Sequence, residues 1–123
     1  MSSVPELNEV RIAGRISKEP RRKQSQRGIV VAEISLQMRK TKTRQDADGE
    51  TVKHVTVTYV IVEFWDRPAQ RLLALDLKQG AGLKIEGCLW LQVLKTGPRL
   101  IVLGNKYEVI DTDDVYETEE DES

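Results

Sequence analysis

Val55-Thr56-Val57-Thr58-Tyr59-Val60-Ile61-Val62-Glu63-Phe64-Trp65, followed by Asp66-Arg67-Pro68-Ala69, is the stretch on which the fold turns. Its β-branched and aromatic residues specify the clearest strand in the chain. A period of two places Val60, Val62 and Phe64 on one face and Tyr59, Ile61, Glu63 and Trp65 on the other. Pro68 suits the first turn of a helix, where its missing N–H would have no partner anyway. Ala69, Leu72, Leu73 and Leu77 supply that helix with an apolar stripe, and Gly80 and Gly82 end the segment.

Two strands precede this stretch. Asn8 to Ile16 alternates, with Val10, Ile12 and Ile16 on one side and Arg11, Ala13 and Arg15 on the other. Gly14 interrupts the apolar side, as a strand glycine does where a small barrel bends. Pro20 to Gly28 reads as a basic connection. From Ile29 to Arg39, Val30, Ala32, Ile34, Leu36 and Met38 face in, while Val31, Glu33, Ser35, Gln37 and Arg39 face out. Thr41 to Lys53 is polar and charged, with Asp46-Ala47-Asp48-Gly49 as turn chemistry, and an exposed loop is expected.

Beyond the helix, Leu83 to Leu94 places Leu83, Ile85, Leu89, Leu91 and Val93 inward and Lys84, Glu86, Cys88, Trp90 and Gln92 outward. Gly97-Pro98 turns the chain into a last strand from Arg99 to about Ile110. One helix among five strands leaves no room for repeated βαβ crossovers. The expected fold is therefore all-β: a five-stranded antiparallel OB-fold barrel with one short helix between strands three and four.

The net charge of −1 conceals an asymmetry. From Glu108 to Ser123 there are nine carboxylates and no Lys or Arg, which leaves residues 1–107 with all 19 basic residues against 11 acidic ones. Residues 1–110 are expected to form the domain and residues 111–123 a disordered acidic tail, too charged and too poor in apolar residues to fold. A positive body attracts polyanions, because neutralising phosphates releases condensed counterions.

No stretch approaches the roughly 18 apolar residues of a membrane span, and Met1 to Glu6 carries no basic-then-apolar leader, so a soluble cytoplasmic protein is expected. Cys88 is the single cysteine, which excludes an internal disulfide framework and a cysteine metal cage. His54 is the single histidine, with no second ligand at metal spacing. Asp46, Asp48 and Glu50 alternate like part of a calcium loop, but lack the distal Glu and the flanking helices. Gly80-Ala81-Gly82 follows a helix, the wrong context for a phosphate loop. No catalytic set can be assembled, and no metal or cofactor is expected.

Several spaced motifs resemble the bacterial single-stranded DNA-binding protein family. Asn8-Glu9-Val10-Arg11-Ile12-Ala13-Gly14-Arg15-Ile16 with Glu19-Pro20 is similar to its opening Asn-x-Val-x-Leu-x-Gly-x-Leu and acidic-Pro pair. Gly28 with Val31-Ala32-Glu33-Ile34-Ser35-Leu36 resembles its second strand, and Trp65-Asp66-Arg67-Pro68-Ala69 its step into the helix. Gln79-Gly80 and Leu83-Lys84-Ile85-Glu86-Gly87-Cys88-Leu89 resemble its fourth strand. The likeness runs from about Asn8 to Ile110. The same stretches resemble primosomal replication protein B, a shorter relative in replication restart, which makes a restart or plasmid or phage accessory module the alternative.

The resemblance implies non-catalytic binding of single-stranded DNA, with RNA as a further ligand, in replication, recombination or repair. Bases would stack on aromatics that face out from the sheet. Trp65 and Tyr59 fall on two of the family's aromatic positions, whereas Lys42 and Leu94 occupy two others; Trp90 lies four residues before Leu94 on the outward parity. Arg11, Arg15, Arg39, Lys40, Lys42, Arg44 and Lys84 share strands or loops with these rings and are the candidate phosphate contacts. A cluster of Arg21, Arg22, Lys23 and Arg27 serves equally as a binding arm or a solubilising face.

The resemblance also implies a homodimer or homotetramer and a nucleoid-associated cytoplasmic location. Family tails end in an apolar tip that docks replication and repair proteins; this chain ends Glu-Glu-Asp-Glu-Ser, with Val115 and Tyr116 as the nearest substitute. Masking of the basic body by the tail is the other expectation. An OB-fold alone does not fix its ligand, so a protein- or oligosaccharide-binding module is a third reading.

Overall fold

A computed structural model of the protein describes residues 4–110. The expected tail, with Val115 and Tyr116, lies outside the described residues. The elements run β1 (Val10–Ile16), β2 (Arg21–Gln24), β3 (Val30–Gln45), β4 (Thr51–Trp65), α1 (Arg67–Ala74), β5 (Gly82–Leu94) and β6 (Gly97–Ile110). The sheet order is β1-β5-β6-β4-β3-β2, and a β1–β3 pairing at Arg15↔Gln37 and Ile16↔Leu36 closes five of these strands into a barrel. The OB-fold barrel stands, with its single helix between β4 and β5. Its closure is mixed, because β4 and β6 pair in parallel at Val62↔Val102 and Glu63↔Leu103.

The core follows from the alternation. Ile16, Val30, Ala32, Ile34, Leu36, Val62, Phe64, Leu83, Ile85 and Val102 fill the barrel, and Ala69 and Leu72 of α1 cover one end. Pro68 stands in the first turn of the helix as expected; Leu77, three residues past the end of α1, still packs on the core. Phe64 meets Tyr107 edge to face at 5.4 Å. Gly104 lets β6 pass against the Phe64 ring: a Cβ at that position would sit 2.5 Å from ring carbons Cε1 and Cζ.

Four expectations are corrected. The basic connection contains a strand, β2, which pairs with β3 from Arg21↔Glu33 to Gln24↔Val30. Its four residues are polar, so no apolar period announces it. The expected loop from Thr41 to Lys53 is mostly ladder, because β3 and β4 pair as far as Gln45↔Thr51. Only the turn is as read: Gly49 has φ +82°, and Asp46 Oδ1 accepts the N–H groups of Asp48 and Glu50, which employs the calcium-like carboxylate in capping.

The other two corrections concern burial. Leu89, Leu91 and Val93 are exposed, although they continue the parity of Leu83 and Ile85. The β1–β5 pairing ends at Gly87, and beyond it β5 and β6 run on as a two-stranded ribbon on which Leu89, Leu91 and Val93 are open to solvent, while Ile101, opposite Trp90 on the other face, is buried. Conversely Val31 and Glu63, on the outward parity, are buried. They lie on the outer face, Val31 in register with Lys23 of β2 and Glu63 bonded by the Lys23, Trp65 and Gln92 side chains, outside the core cluster.

Candidate nucleic-acid interface

Residues paired in register share a face, so the outer surface of β2, β3 and β4 can be read in rows. Lys23, Val31 and Trp65 form one row, and Arg21, Glu33 and Glu63 the next. Further along, Arg15, Gln37 and Tyr59 align across β1, β3 and β4, followed by Arg39 opposite Val57. Tyr59 and Trp65 are six residues apart on one strand, about 20 Å at the usual rise. They are 61% and 39% exposed. Gln37 Nε2 donates to the Tyr59 hydroxyl at 3.3 Å, and the ring face stays open to solvent.

Trp65 is held from beneath. Its indole N–H donates to Glu63 Oε1 at 3.1 Å. Glu63 is 2% exposed, and its Oε2 accepts from Lys23 Nζ at 3.2 Å and Gln92 Nε2 at 3.1 Å. Arg99 donates to Gln92 Oε1 and, at 3.3 Å, to Glu33 Oε2, while Lys23 also bonds Glu33. Two carboxylates and two cations thus satisfy one another below the indole, consistent with buried charge being paired. Burial alone would raise the Glu33 carboxyl, but the bonds and charges of Lys23 and Arg99 outweigh it and hold it below its ordinary value.

This cluster was missed by sequence reasoning. Its one signal was a carboxylate, Glu63, in the middle of the most apolar strand. The outward placement of the ring it orients agrees with the sequence reading, as does that of Trp90, which is 56% exposed and shares its side of β5 with Gln92. Through Gln92 and Glu63, the surfaces bearing Trp90 and Trp65 are continuous.

The candidate cations divide three ways. Arg15 and Arg39 lie in the rows of Tyr59 and Val57, on the aromatic face. Lys40, Lys42 and Arg44 pair with Thr56, His54 and Val52, which puts them on the opposite face of the β3–β4 hairpin from Tyr59 and Trp65. Arg11 pairs with Glu86 at 3.4 Å, and Lys84 stands opposite Glu108, both on the β1–β5–β6 side among carboxylates. His54 is exposed on the hairpin, and among the described residues no three His, Cys, Asp or Glu side chains converge as a metal site would need.

Comparison with known proteins bears on this arrangement. Residues 7–97 match the single-strand binding protein family. No curated protein sequence matches the chain. Among solved structures, the wild-type single-stranded DNA binding protein from Thermus aquaticus is similar with a TM-score of 0.69 at 18% identity over 85% of this chain. The chain spans about half the length of that protein, 50%. A deletion mutant of the same protein has a TM-score of 0.68 at 18% identity, covering 85% of this chain and 51% of that one. The single-strand binding protein of Plasmodium falciparum, solved with single-stranded DNA, has a TM-score of 0.69 at 19% identity and covers 89% of this chain and 100% of its own. At these identities the structures attest the barrel, and the sequence match attests the lineage. The chain belongs to the single-strand binding protein family.

Proposed function

We propose that the protein binds single-stranded DNA without doing chemistry on it, and serves replication, recombination or repair. The observation that carries this reading is the pair of exposed rings, Tyr59 and Trp65, on one strand face, with Arg15 and Arg39 in adjoining rows. A flat π-face stacks any base, and an adjacent guanidinium meets the phosphate, which is what sequence-tolerant binding requires. The solved complex of the Plasmodium falciparum relative with single-stranded DNA supports the same ligand.

In this reading Trp90 extends the path onto β5. Lys40, Lys42 and Arg44 take part only where the strand wraps around the β3–β4 hairpin, and Arg11 and Lys84 where it continues round the barrel. RNA offers the same stacking surface and is the second ligand class. Self-association into a dimer or tetramer, a cytoplasmic and nucleoid-associated location, and docking of replication or repair proteins by residues 111–123 complete the proposal. Among the described residues no helix is long and apolar enough to cross a membrane.

The test is a fluorescence-anisotropy titration with oligo-dT, oligo-rU and a duplex of equal length at two salt concentrations. Tighter binding of the single strands, weakening as salt rises, is expected. Equal affinity for duplex and single strand would refute the reading.

A further inference from the structure

Beside Trp65 lies an open cleft of about 660 Å³, between the indole and the turn that joins β2 to β3. That size lies within the range of roughly 300–1,000 Å³ typical of small-ligand sites. Its floor is apolar, made by Ile29, Val31 and Leu94. Its far rim is Gln24, Gln26 and Arg27, whose side chains make no hydrogen bond or ion pair among the described residues.

The turn is internally tied, so the rim is already in place. Ser25 N–H donates to the Ile29 carbonyl at 2.9 Å, Gly28 N–H to the Ser25 carbonyl at 2.9 Å, and Ile29 N–H to Ser25 Oγ at 3.1 Å. The opposite wall is fixed too, because the indole N–H is committed to Glu63 and only the ring face is left for a ligand. Glu63 and Glu33, the groups that would repel a phosphate, are consumed by Lys23, Arg99 and Gln92.

An aromatic wall, an apolar floor, two uncommitted amides and one guanidinium match the chemistry of a single nucleotide. An amide carries both donors and an acceptor and suits a base edge, while a guanidinium suits a phosphate. We infer that one nucleotide of the bound strand inserts its base into this cleft against Trp65, its edge meeting Gln24 and Gln26 and its phosphate meeting Arg27. This rests on the proposed single-strand binding and adds to it a second wall. One position of the strand is then gripped on two sides, whereas a base on Tyr59 is stacked on one.

The test uses the full chain with Gln26→Ala and Arg27→Ala combined, both at exposed turn positions. Its melting temperature should match that of the unmodified protein. Loss of one phosphate contact should make the slope of log affinity for oligo-dT against log salt shallower by about 0.7. Tryptophan quenching at saturation should persist, because Trp65 is untouched. An unchanged slope and unchanged affinity in a variant whose parent binds oligo-dT would overturn the cleft assignment and leave the proposed function standing. Failure of the parent to bind would overturn both.

Discussion

Glu63 is where the account is most exposed to refutation, because one buried carboxylate serves two purposes. Its Oε1 fixes the Trp65 indole and its Oε2 collects Lys23 and Gln92, with Arg99 at 3.7 Å. In Glu63→Gln the amide supplies one acceptor oxygen; its nitrogen, a donor, must face donors on the other side. Breaking a buried ion pair from one end costs about 3–5 kcal/mol. Here Lys23 and Arg99 are 28% and 32% exposed and keep Glu33, so water and the second carboxylate recover part of that. A loss of about 2–3 kcal/mol is expected, or roughly 10–20 °C in melting temperature for a domain of this size. Urea denaturation followed by tryptophan emission measures it. In a double-mutant cycle with Lys23→Met the two losses should couple by roughly 0.5–3 kcal/mol, since the groups touch. Binding carries the sharper sign. The substitution removes a negative charge from the interface, which by itself would tighten binding to phosphates. Weaker binding of oligo-dT is nonetheless expected, because the ring loses its anchor. Unchanged stability, additive losses, or a gain in affinity would refute the argument that Glu63 positions Trp65.

Four other perturbations are informative. Phe64→Ala should destabilise the fold by about 3–5 kcal/mol and Gly104→Ala by about 1–3 kcal/mol, and the two should be less than additive in denaturation midpoints, since the smaller side chain makes room for the new methyl. Glu33 is held below its ordinary value in the folded state, so its contribution is present above the unfolded value near 4.3 and fades as pH falls through the folded one. Thermal melts below about pH 4 should therefore fall more steeply for the unmodified protein than for Glu33→Gln. Deleting residues 111–123 should tighten oligo-dT binding at low salt, with the gain shrinking as salt rises, because a tethered polyanion competes with nucleic acid for the basic body. An equal gain at high salt would exclude electrostatic masking.

The barrel was legible because its strands carry burial in their period: Val60, Val62 and Phe64 on β4 and Ile34 and Leu36 on β3 all face the core as read. The rings were legible for the same reason, since outward parity beside a filled inner face leaves Tyr59 and Trp65 in solvent. Alternation, however, reports a strand and its faces and says nothing about what covers them. Leu89, Leu91 and Val93 keep the inward parity on a ribbon beyond the end of the β1–β5 pairing. Lys40, Lys42 and Arg44 turned out to be on the other side of the hairpin from the rings because the ladder continues where a loop was expected, and parity continues with it. β2 was illegible for a different reason. Arg21 to Gln24 is stabilised by an edge ladder and by the carboxylates Glu33 of β3 and Glu63 of β4, neither of them local in sequence.

The central claim is that bases stack on the Trp65 face. Its most direct measurement is oligo-dT affinity for the unmodified protein and for Trp65→Ala, with urea denaturation of both. A loss of about 1–3 kcal/mol in binding is expected, with the variant still folded, since the ring is outside the barrel core. A folded Trp65→Ala protein that binds oligo-dT as tightly as its parent would contradict it.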